Sequence, residues 1–169
     1  FGRLAPQIAY YFSAYLDLVS SGQIDMGAEV NFAVPTGNFG NILAAYYAKR
    51  MGLPVGKLIC ASNKNNVLTD FIRTGVYDKR REFYKTMSPS MDILISSNLE
   101  RLLFELSGRN AVRVQMRMDK LAAEGVYELY DEEKEQVQEL LWADFCGEDE
   151  TLETSDEVAE EDQYPIDTH

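Results

Sequence analysis

The sequence predicts an α/β fold built on a parallel sheet, and three features indicate this class. An apolar strand over Val30–Val34 leads through a glycine-containing turn into a helix that ends near Met51. A second apolar strand, Lys57–Ala61, follows after a short turn. Strand, helix and strand within about 32 residues form a βαβ unit, in which we expect parallel strands and a right-handed crossover. Additional helices are predicted toward the C-terminus.

A helix is predicted at the start of the chain, over Arg3–Ser21. Pro6 is tolerated because it lies in the first turn, and Gly22 ends the helix. Apolar residues recur at helical spacing along one face: Leu4, Ile8, Tyr11, Tyr15 and Leu18. Such a stripe, tyrosines included, is more typical of core packing than of a cofactor site.

The turn after the first strand is the strongest candidate for a binding site. Gly37 and Gly40 have no Cβ, so the backbone can approach a ligand closely. Asn41 is the predicted N-cap of the next helix, and the first N–H groups of a helix bind anions, usually phosphate. The turn matches neither the P-loop nor the dinucleotide-binding fingerprint. An ordinary βα turn that uses glycine is the alternative.

Two further stretches are candidate contributors to a site. Ser62–Asn66 follows the second strand, at the sheet edge where α/β proteins bind ligands. It is equally compatible with a turn and N-cap for a helix over Val67–Thr74 that ends at Gly75. The loop Tyr77–Met87 holds four cationic residues that either meet a phosphorylated substrate or form ordinary surface charge.

The second half of the chain is predicted to be mainly helical. Met91–Ile95 is a short strand candidate, and Ser97 with Glu100 has the spacing of a capping box for a helix to Leu106. Asn110 is the predicted cap of the following helix. That helix is expected to bury Val114, Met118 and Leu121.

Charged residues dominate the surfaces predicted for the C-terminal helices. Arg113 and Arg117 have i, i+4 spacing, which is more typical of a solvated face than of a nucleic-acid stripe. Acidic helices are predicted over Asp131–Ala143 and Thr151–Asp162.

Composition limits the classes of function. The 169 residues have a net charge of −12, and residues 131–169 hold 16 acidic side chains against one basic side chain. This acidic end would repel nucleic acid and anionic membranes and predicts a solvated helical face. No apolar run could span a membrane. Two cysteines indicate a reducing cytoplasm, and Cys60 reads as a buried apolar residue within its strand.

Three segments together resemble threonine synthase, a pyridoxal 5′-phosphate (PLP) enzyme of the tryptophan-synthase-β-like fold, fold type II. They are Pro35–Asn41, Ile59–Asn63 and Ser88–Ile93, and the resemblance extends over most of residues 1–130. It implies that the glycine loop holds the phosphate of the cofactor. The implied phosphate-loop residues are Gly37, Asn38, Phe39, Gly40 and Asn41.

The same resemblance implies a reaction that this chain cannot complete alone. The family converts O-phospho-L-homoserine and water to L-threonine and phosphate, with the cofactor as electron sink. Its Schiff-base lysine lies before the position of Phe1, and its partner for the ring nitrogen comes after His169. Sequence departures near both ends weaken any role for Arg3 and His169. We therefore expect an inactive fragment with no metal site, cut from a longer protein because it does not begin with Met.

Two alternatives to this interpretation are another PLP-dependent lyase or dehydratase of the same fold and a non-catalytic phosphate-ligand or protein-interaction module. Residues 1–169 are expected to form a single partial domain without an internal boundary. The βαβ unit predicts that Gly37–Asn41 and Ser62–Asn65 lie on the same sheet edge. Because Pro35–Tyr47 lacks Lys and Arg, backbone N–H groups should hold the phosphate. Gly40→Val should then weaken binding more than Asn38→Ala, since valine resists a positive φ.

Overall fold

The computed structural model describes residues 2–161 and 163–164. The strands are β1 (Val30–Pro35), β2 (Val55–Ser62), β3 (Val76–Asp78), β4 (Val126–Glu128) and β5 (Leu141–Phe145). The helices are α1 (Ala5–Ser20), α2 (Gly40–Arg50), α3 (Val67–Thr74), α4 (Leu99–Leu106), α5 (Ala111–Glu124), α6 (Asp131–Leu140) and α7 (Glu148–Glu161).

The main sheet is parallel and has the strand order β1-β2-β5. Strands β1 and β2 are those predicted from the sequence, with Val34 opposite Cys60. Residues of α2 and β2, including Leu43, Ala44 and Leu58, have no exposed surface and form the centre of the core. The predicted α/β class with a parallel βαβ unit is confirmed.

The prediction of a helix over Asp131–Ala143 is wrong at its C-terminal end. Helix α6 stops at Leu140, and β5 pairs with β2 as the third strand of the sheet. The alternating burial of Leu141 and Ala143 against exposed Trp142 is the two-residue period of a strand. The region is therefore not simply a solvated helical face, because five of its residues complete the sheet.

A second, antiparallel pair consists of β3 and β4. Tyr77 and Tyr127 lie opposite each other in this pair, and their rings stack with centroids 5.2 Å apart. Phe71 of α3 packs edge-on against both tyrosine rings. Neither strand was predicted, because three residues are too few to show a period.

Helix boundaries agree with the sequence at most positions and differ at two capping sites. Gly75 has a left-handed φ of 81° and ends α3, and Asn110 caps α5 by accepting a hydrogen bond from the Arg113 N–H. The predicted Ser97 cap is wrong: Asn98 occupies the N-cap position of α4, without a side-chain capping bond. Asn41 is also not a cap, because α2 begins at Gly40.

Two other elements of the structure differ from those predicted from the sequence. The strand predicted over Met91–Ile95 is wrong, since Pro89–Met91 forms a single 3₁₀ turn. Pro89 supplies the fixed φ that suits this turn and has no N–H for a sheet. Helix α7 begins three residues before the predicted Thr151, and Asp162 lies outside the described residues.

The prediction that Arg117 is solvated is wrong. Its side chain is 7% exposed and forms a bidentate ion pair with Glu133 of α6, which is 3% exposed. Arg113 also contacts Glu133, at 3.3 Å. Burial acts to raise the pKa of Glu133, but the bonds from Arg117, the Tyr130 N–H and Arg113 outweigh it and lower the pKa. This ion pair joins α5 to α6.

Candidate functional site

The two loops singled out from the sequence lie at the same edge of the main sheet, as predicted. Strands β1 and β2 are parallel and end at Pro35 and Ser62. The Thr36 N–H donates to the carbonyl of Ala61 at 2.8 Å, which continues the ladder up to the start of the glycine loop. Gly37–Asn41 therefore begins where ligands bind in open α/β sheets.

A cleft of about 680 Å³ opens over this edge. All five residues predicted to hold phosphate line it: Gly37, Asn38, Phe39, Gly40 and Asn41. Arg3 and Gln7 line the cleft from the N-terminal side, and Ser97 and Arg101 line it from the start of α4. The cleft is therefore lined by the glycine loop and by two arginines.

The left-handed residue of the loop is Phe39, and this corrects the prediction that Gly40 has a positive φ. Phe39 has φ 64° and ψ 7°, and it occupies the N-cap position of α2. Non-glycine residues adopt this conformation at a cost of about 1–3 kcal/mol, so the surroundings must hold it in place. The Phe39 side chain is 2% exposed, and its burial in the core supplies that constraint.

A left-handed residue followed by a helical one turns successive N–H groups toward a common point. Such a concave nest binds anions, and here it coincides with the N-terminus of α2. Within residues 2–161, the N–H groups of Asn38, Phe39, Gly40 and Asn41 donate to no protein acceptor. The Phe39 carbonyl accepts from the Leu43 N–H at 3.2 Å, which directs the Gly40 N–H away from the helix body. The loop thus has the geometry of an anion cradle.

Asn41 contributes to packing through its side chain as well as lining the cleft. Its Oδ1 accepts a hydrogen bond from the Tyr11 hydroxyl at 2.8 Å, and its carbonyl accepts from the same hydroxyl at 3.1 Å. Burial raises the pKa of Tyr11, so this hydroxyl stays a donor. The bond fastens the first turn of α2 to α1. No pattern in the sequence indicated this pair, because the residues lie 30 positions apart.

The two loop glycines differ in how much space a side chain would find. A Cβ on Gly37 would lie 3.0 Å from Ile93 Cγ1 and 3.3 Å from Met91 Cα. A Cβ on Gly40 would meet its nearest neighbour, Asn98 Nδ2, at an ordinary 3.5 Å. Close packing against the chain after the 3₁₀ turn therefore depends on Gly37 far more than on Gly40.

The cationic loop predicted over Tyr77–Met87 does not contribute its arginines to the cleft. Arg80 pairs with Asp78 at 2.8 Å and lowers its pKa to about 2, and Arg81 pairs with Asp70 at 2.8 Å. Both guanidinium groups are therefore matched by neighbouring carboxylates. The arginines that line the cleft are instead Arg3, for which the sequence supported only a weak role, and Arg101, which the sequence did not single out.

The polar stretch after β2 organises a neighbouring loop. Asn63 and Asn65 donate to Asp92 Oδ1 at 2.8 and 2.9 Å, and Asp92 also accepts from the N–H and hydroxyl of Thr86. Burial acts to raise the pKa of Asp92, but these bonds outweigh it and lower the pKa. Asn65 further exchanges two bonds with the Tyr84 backbone. Ser62–Asn66 thus supports the site edge without lining the cleft.

Among the described residues, the cysteines and carboxylates outside the cleft do not form a metal site or a reactive thiol site. Burial raises the pKa of the Cys60 thiol to about 11, so it is protonated and inert at neutral pH, as a buried apolar residue would be. In residues 2–161 and 163–164, no cluster of His, Cys, Asp or Glu has the geometry of a metal site. No helix in this part of the chain is both long and apolar enough to cross a membrane.

Known proteins are similar in sequence to this chain. Over 99% of its own length, the chain is 47% identical to human threonine synthase-like 1 and 41% identical to threonine synthase of Pseudomonas aeruginosa. It covers 23% of the human protein and 34% of the bacterial one. The chain is homologous to part of threonine synthase. No family model matches it.

A solved structure agrees with this assignment. The PLP-bound threonine synthase from Brucella melitensis matches the whole chain with a TM-score of 0.93 and 42% identity, and the chain covers 35% of that protein. The predicted fold class, including the fold-type II arrangement of threonine synthases, is thereby confirmed. The chain thus spans between about a quarter and a third of these relatives.

Proposed function

We propose that this chain is the part of a threonine synthase that binds the phosphate of PLP. The observation that carries the proposal is the loop Gly37–Asn41, with its left-handed Phe39 at the N-terminus of α2. The complete enzyme would convert O-phospho-L-homoserine and water to L-threonine and phosphate. Support comes from the homologous threonine synthases and from the cleft at this loop.

The residues present fit a phosphate held by backbone groups. The N–H groups of Asn38, Phe39, Gly40 and Asn41 are available to the cleft, and Pro35–Tyr47 contains no Lys or Arg. A hydrogen bond to a charged group contributes about 1.5–3 kcal/mol, so three or four such bonds anchor a phosphate without an ion pair. The positive end of the α2 dipole adds to this attraction.

Arg3 and Arg101 extend the positive field beyond the loop. Their charges favour a second anionic group in the same cleft, as a phosphorylated substrate would bring. Ser97, which also lines the cleft, offers a hydroxyl to such a group. When bound, PLP would supply the electron sink for the chemistry at Cα and Cβ of the substrate. The contribution of this chain is to bind and orient the anionic groups.

The chain alone should lack activity. Among the described residues, no lysine lines the cleft, so no amine is placed to bond the cofactor covalently. We propose that the lysine and the partner of the ring nitrogen come from other parts of the enzyme. Residues 1–169 would then be a single partial domain of a cytoplasmic protein, a compartment that the paucity of cysteine favours.

The experiment that tests this function uses the complete protein. Apoprotein is titrated with PLP and with pyridoxal, which lacks the phosphate, and phosphate release from O-phospho-L-homoserine is then assayed. We expect PLP to bind much more tightly and phosphate release to depend on it. Turnover of serine or threonine without phosphate release would indicate a dehydratase instead. Binding without any turnover would indicate a non-catalytic phosphate-ligand module.

A further inference from the structure

The anion-binding loop is held by a segment distant in sequence, residues 96–98. The Ser96 hydroxyl donates to the Gly37 carbonyl at 2.8 Å. Asn98 donates to the Asn38 carbonyl twice, from its side-chain Nδ2 at 2.9 Å and from its backbone N–H at 3.1 Å. These three bonds fix two successive loop carbonyls against the start of α4.

Fixing the carbonyls also sets the direction of the binding amides. In a trans peptide, the C=O of one residue and the N–H of the next point in opposite directions, and the described chain contains no cis peptide. With the Gly37 carbonyl turned toward Ser96, the Asn38 N–H points away from residue 96. The Asn38 carbonyl, turned toward Asn98, likewise directs the Phe39 N–H to the opposite side. The two donors therefore share an orientation that residues 96–98 impose.

The segment is itself anchored by a buried tyrosine. The Tyr77 hydroxyl accepts from the Ser96 N–H at 2.8 Å and donates to the Leu94 carbonyl at 3.0 Å. Tyr77 is 1% exposed, and its ring is stacked on Tyr127 in the β3–β4 pair. A continuous set of contacts thus connects this antiparallel pair to the amides of the loop.

We propose that Ser96 and Asn98 are positioning residues for the cofactor phosphate, and that Tyr77 holds them in place. This inference rests on the proposed function, because it concerns the same site. Ser96 and Tyr77 do not line the cleft, and Asn98, which does, acts through the Asn38 carbonyl. They raise phosphate affinity by keeping the Asn38 and Phe39 amides preorganised, so that binding does not have to order them.

The test measures, in the complete apoprotein, how strongly PLP is preferred over pyridoxal. Ser96→Ala, Asn98→Ala and Tyr77→Phe each remove loop or segment hydrogen bonds and should reduce this preference about tenfold. Ser96→Thr keeps the hydroxyl and should restore most of it. Tyr127→Phe is the matched control, because it alters the same aromatic pair but no described hydrogen bond to residues 94–98.

Each result has a defined meaning. If the parent protein binds PLP no better than pyridoxal, the proposed function fails, and this inference fails with it. If the parent prefers PLP and all three variants keep the full preference, the function stands and the positioning role is overturned. Equal losses for PLP and pyridoxal, or equal effects of Tyr77→Phe and Tyr127→Phe, also overturn it. Should Ser96→Ala not fold by circular dichroism, the near-isosteric and uncharged Asn98→Leu, which lacks the side-chain donor, supplies the same comparison.

Discussion

The glycine loop and the contact between α5 and α6 handle charge in opposite ways. The loop would bind an anion with uncharged backbone amides, whereas the helix contact buries a full ion pair, Arg117 with Glu133. The loop keeps unpaired donors at a cleft, whereas the carboxylate of Glu133 is used within the protein, accepting from two arginines and from the Tyr130 N–H. In this chain, closely spaced arginines such as Arg113 and Arg117 therefore indicate structural contacts. The candidate binding site is marked instead by small residues and the start of a helix.

The largest loss of stability should follow from removing one partner of the Arg117–Glu133 ion pair. Glu133→Ala leaves Arg117 buried without its partner, and such a loss costs about 3–5 kcal/mol of unfolding free energy. Arg117→Met combined with Glu133→Leu removes both charges and should recover most of the loss, while Arg113, 38% exposed, turns to water. Denaturant unfolding followed by circular dichroism measures both variants.

The pair of Arg109 with Glu105 supplies the control, because its arginine side chain is exposed. Arg109→Met should cost less than about 1 kcal/mol, since its side chain is 68% exposed. A loss for Glu133→Ala as small as that for Arg109→Met would contradict the structural role of the buried pair.

The second largest loss of stability is expected at the loop glycines, where Gly37 and Gly40 should differ. Gly37→Ala places a methyl group 3.3 Å from the Met91 backbone and should cost about 1–3 kcal/mol of stability, as overpacking does. It should also weaken PLP binding in the complete protein, because the loop must shift away from residues 90–93. Gly40→Ala, with only ordinary contacts, is the matched control and should change both quantities less. The reverse order would show that the loop does not pack as described.

The ion pair between Arg117 and Glu133 should make the stability of the protein depend on pH in the acid range. The folded-state pKa of Glu133 lies below the ordinary value of 4.5, so its stabilising effect is complete above that pH. The effect is lost as pH falls from 4.5 through the lowered folded-state pKa. We expect the stability difference between the parent and Glu133→Gln to be largest at neutral pH and to shrink below about pH 4.5. Urea unfolding from pH 7 to pH 3 tests this, and a constant difference would refute it.

The sequence predicted the parallel unit and the loop because both have strong local signals. Val30, Phe32 and Val34 alternate along a strand, and glycine and proline mark where it ends. Strand β5 was missed because its five residues follow directly on an acidic helix without a turn residue between them. A two-residue period over Leu141–Ala143 was the available signal, and it is too short to decide against the helix.

The other features that the sequence did not predict depend on contacts between residues far apart in the chain. Nothing local shows that Arg117 will meet Glu133, 16 positions away, or that Tyr77 will hold Ser96. The left-handed Phe39 was equally hidden, since an aromatic residue disfavours this conformation and only burial in the completed core keeps it there. The sequence thus located the loop, and the tertiary structure determines the direction of its amides.

The smallest effect should come from the loop residue with an amide side chain at the cleft, Asn38. Its side chain is exposed, and its only described side-chain contact is a long one, 3.4 Å from Ser97 Oγ. Asn38→Ala keeps the backbone N–H and the carbonyl that Asn98 holds, so PLP affinity in the complete protein should fall less than about threefold.

Asn38→Pro is the matched comparison at the same position, because it removes the N–H that the cradle needs. It should weaken PLP far more than it weakens pyridoxal, in variants whose folding circular dichroism confirms. Comparing the two substitutions separates recognition by the Asn38 side-chain amide from recognition by its backbone N–H. If Asn38→Ala costs as much affinity as Asn38→Pro, the side-chain amide binds the phosphate directly, and recognition by the backbone alone is wrong.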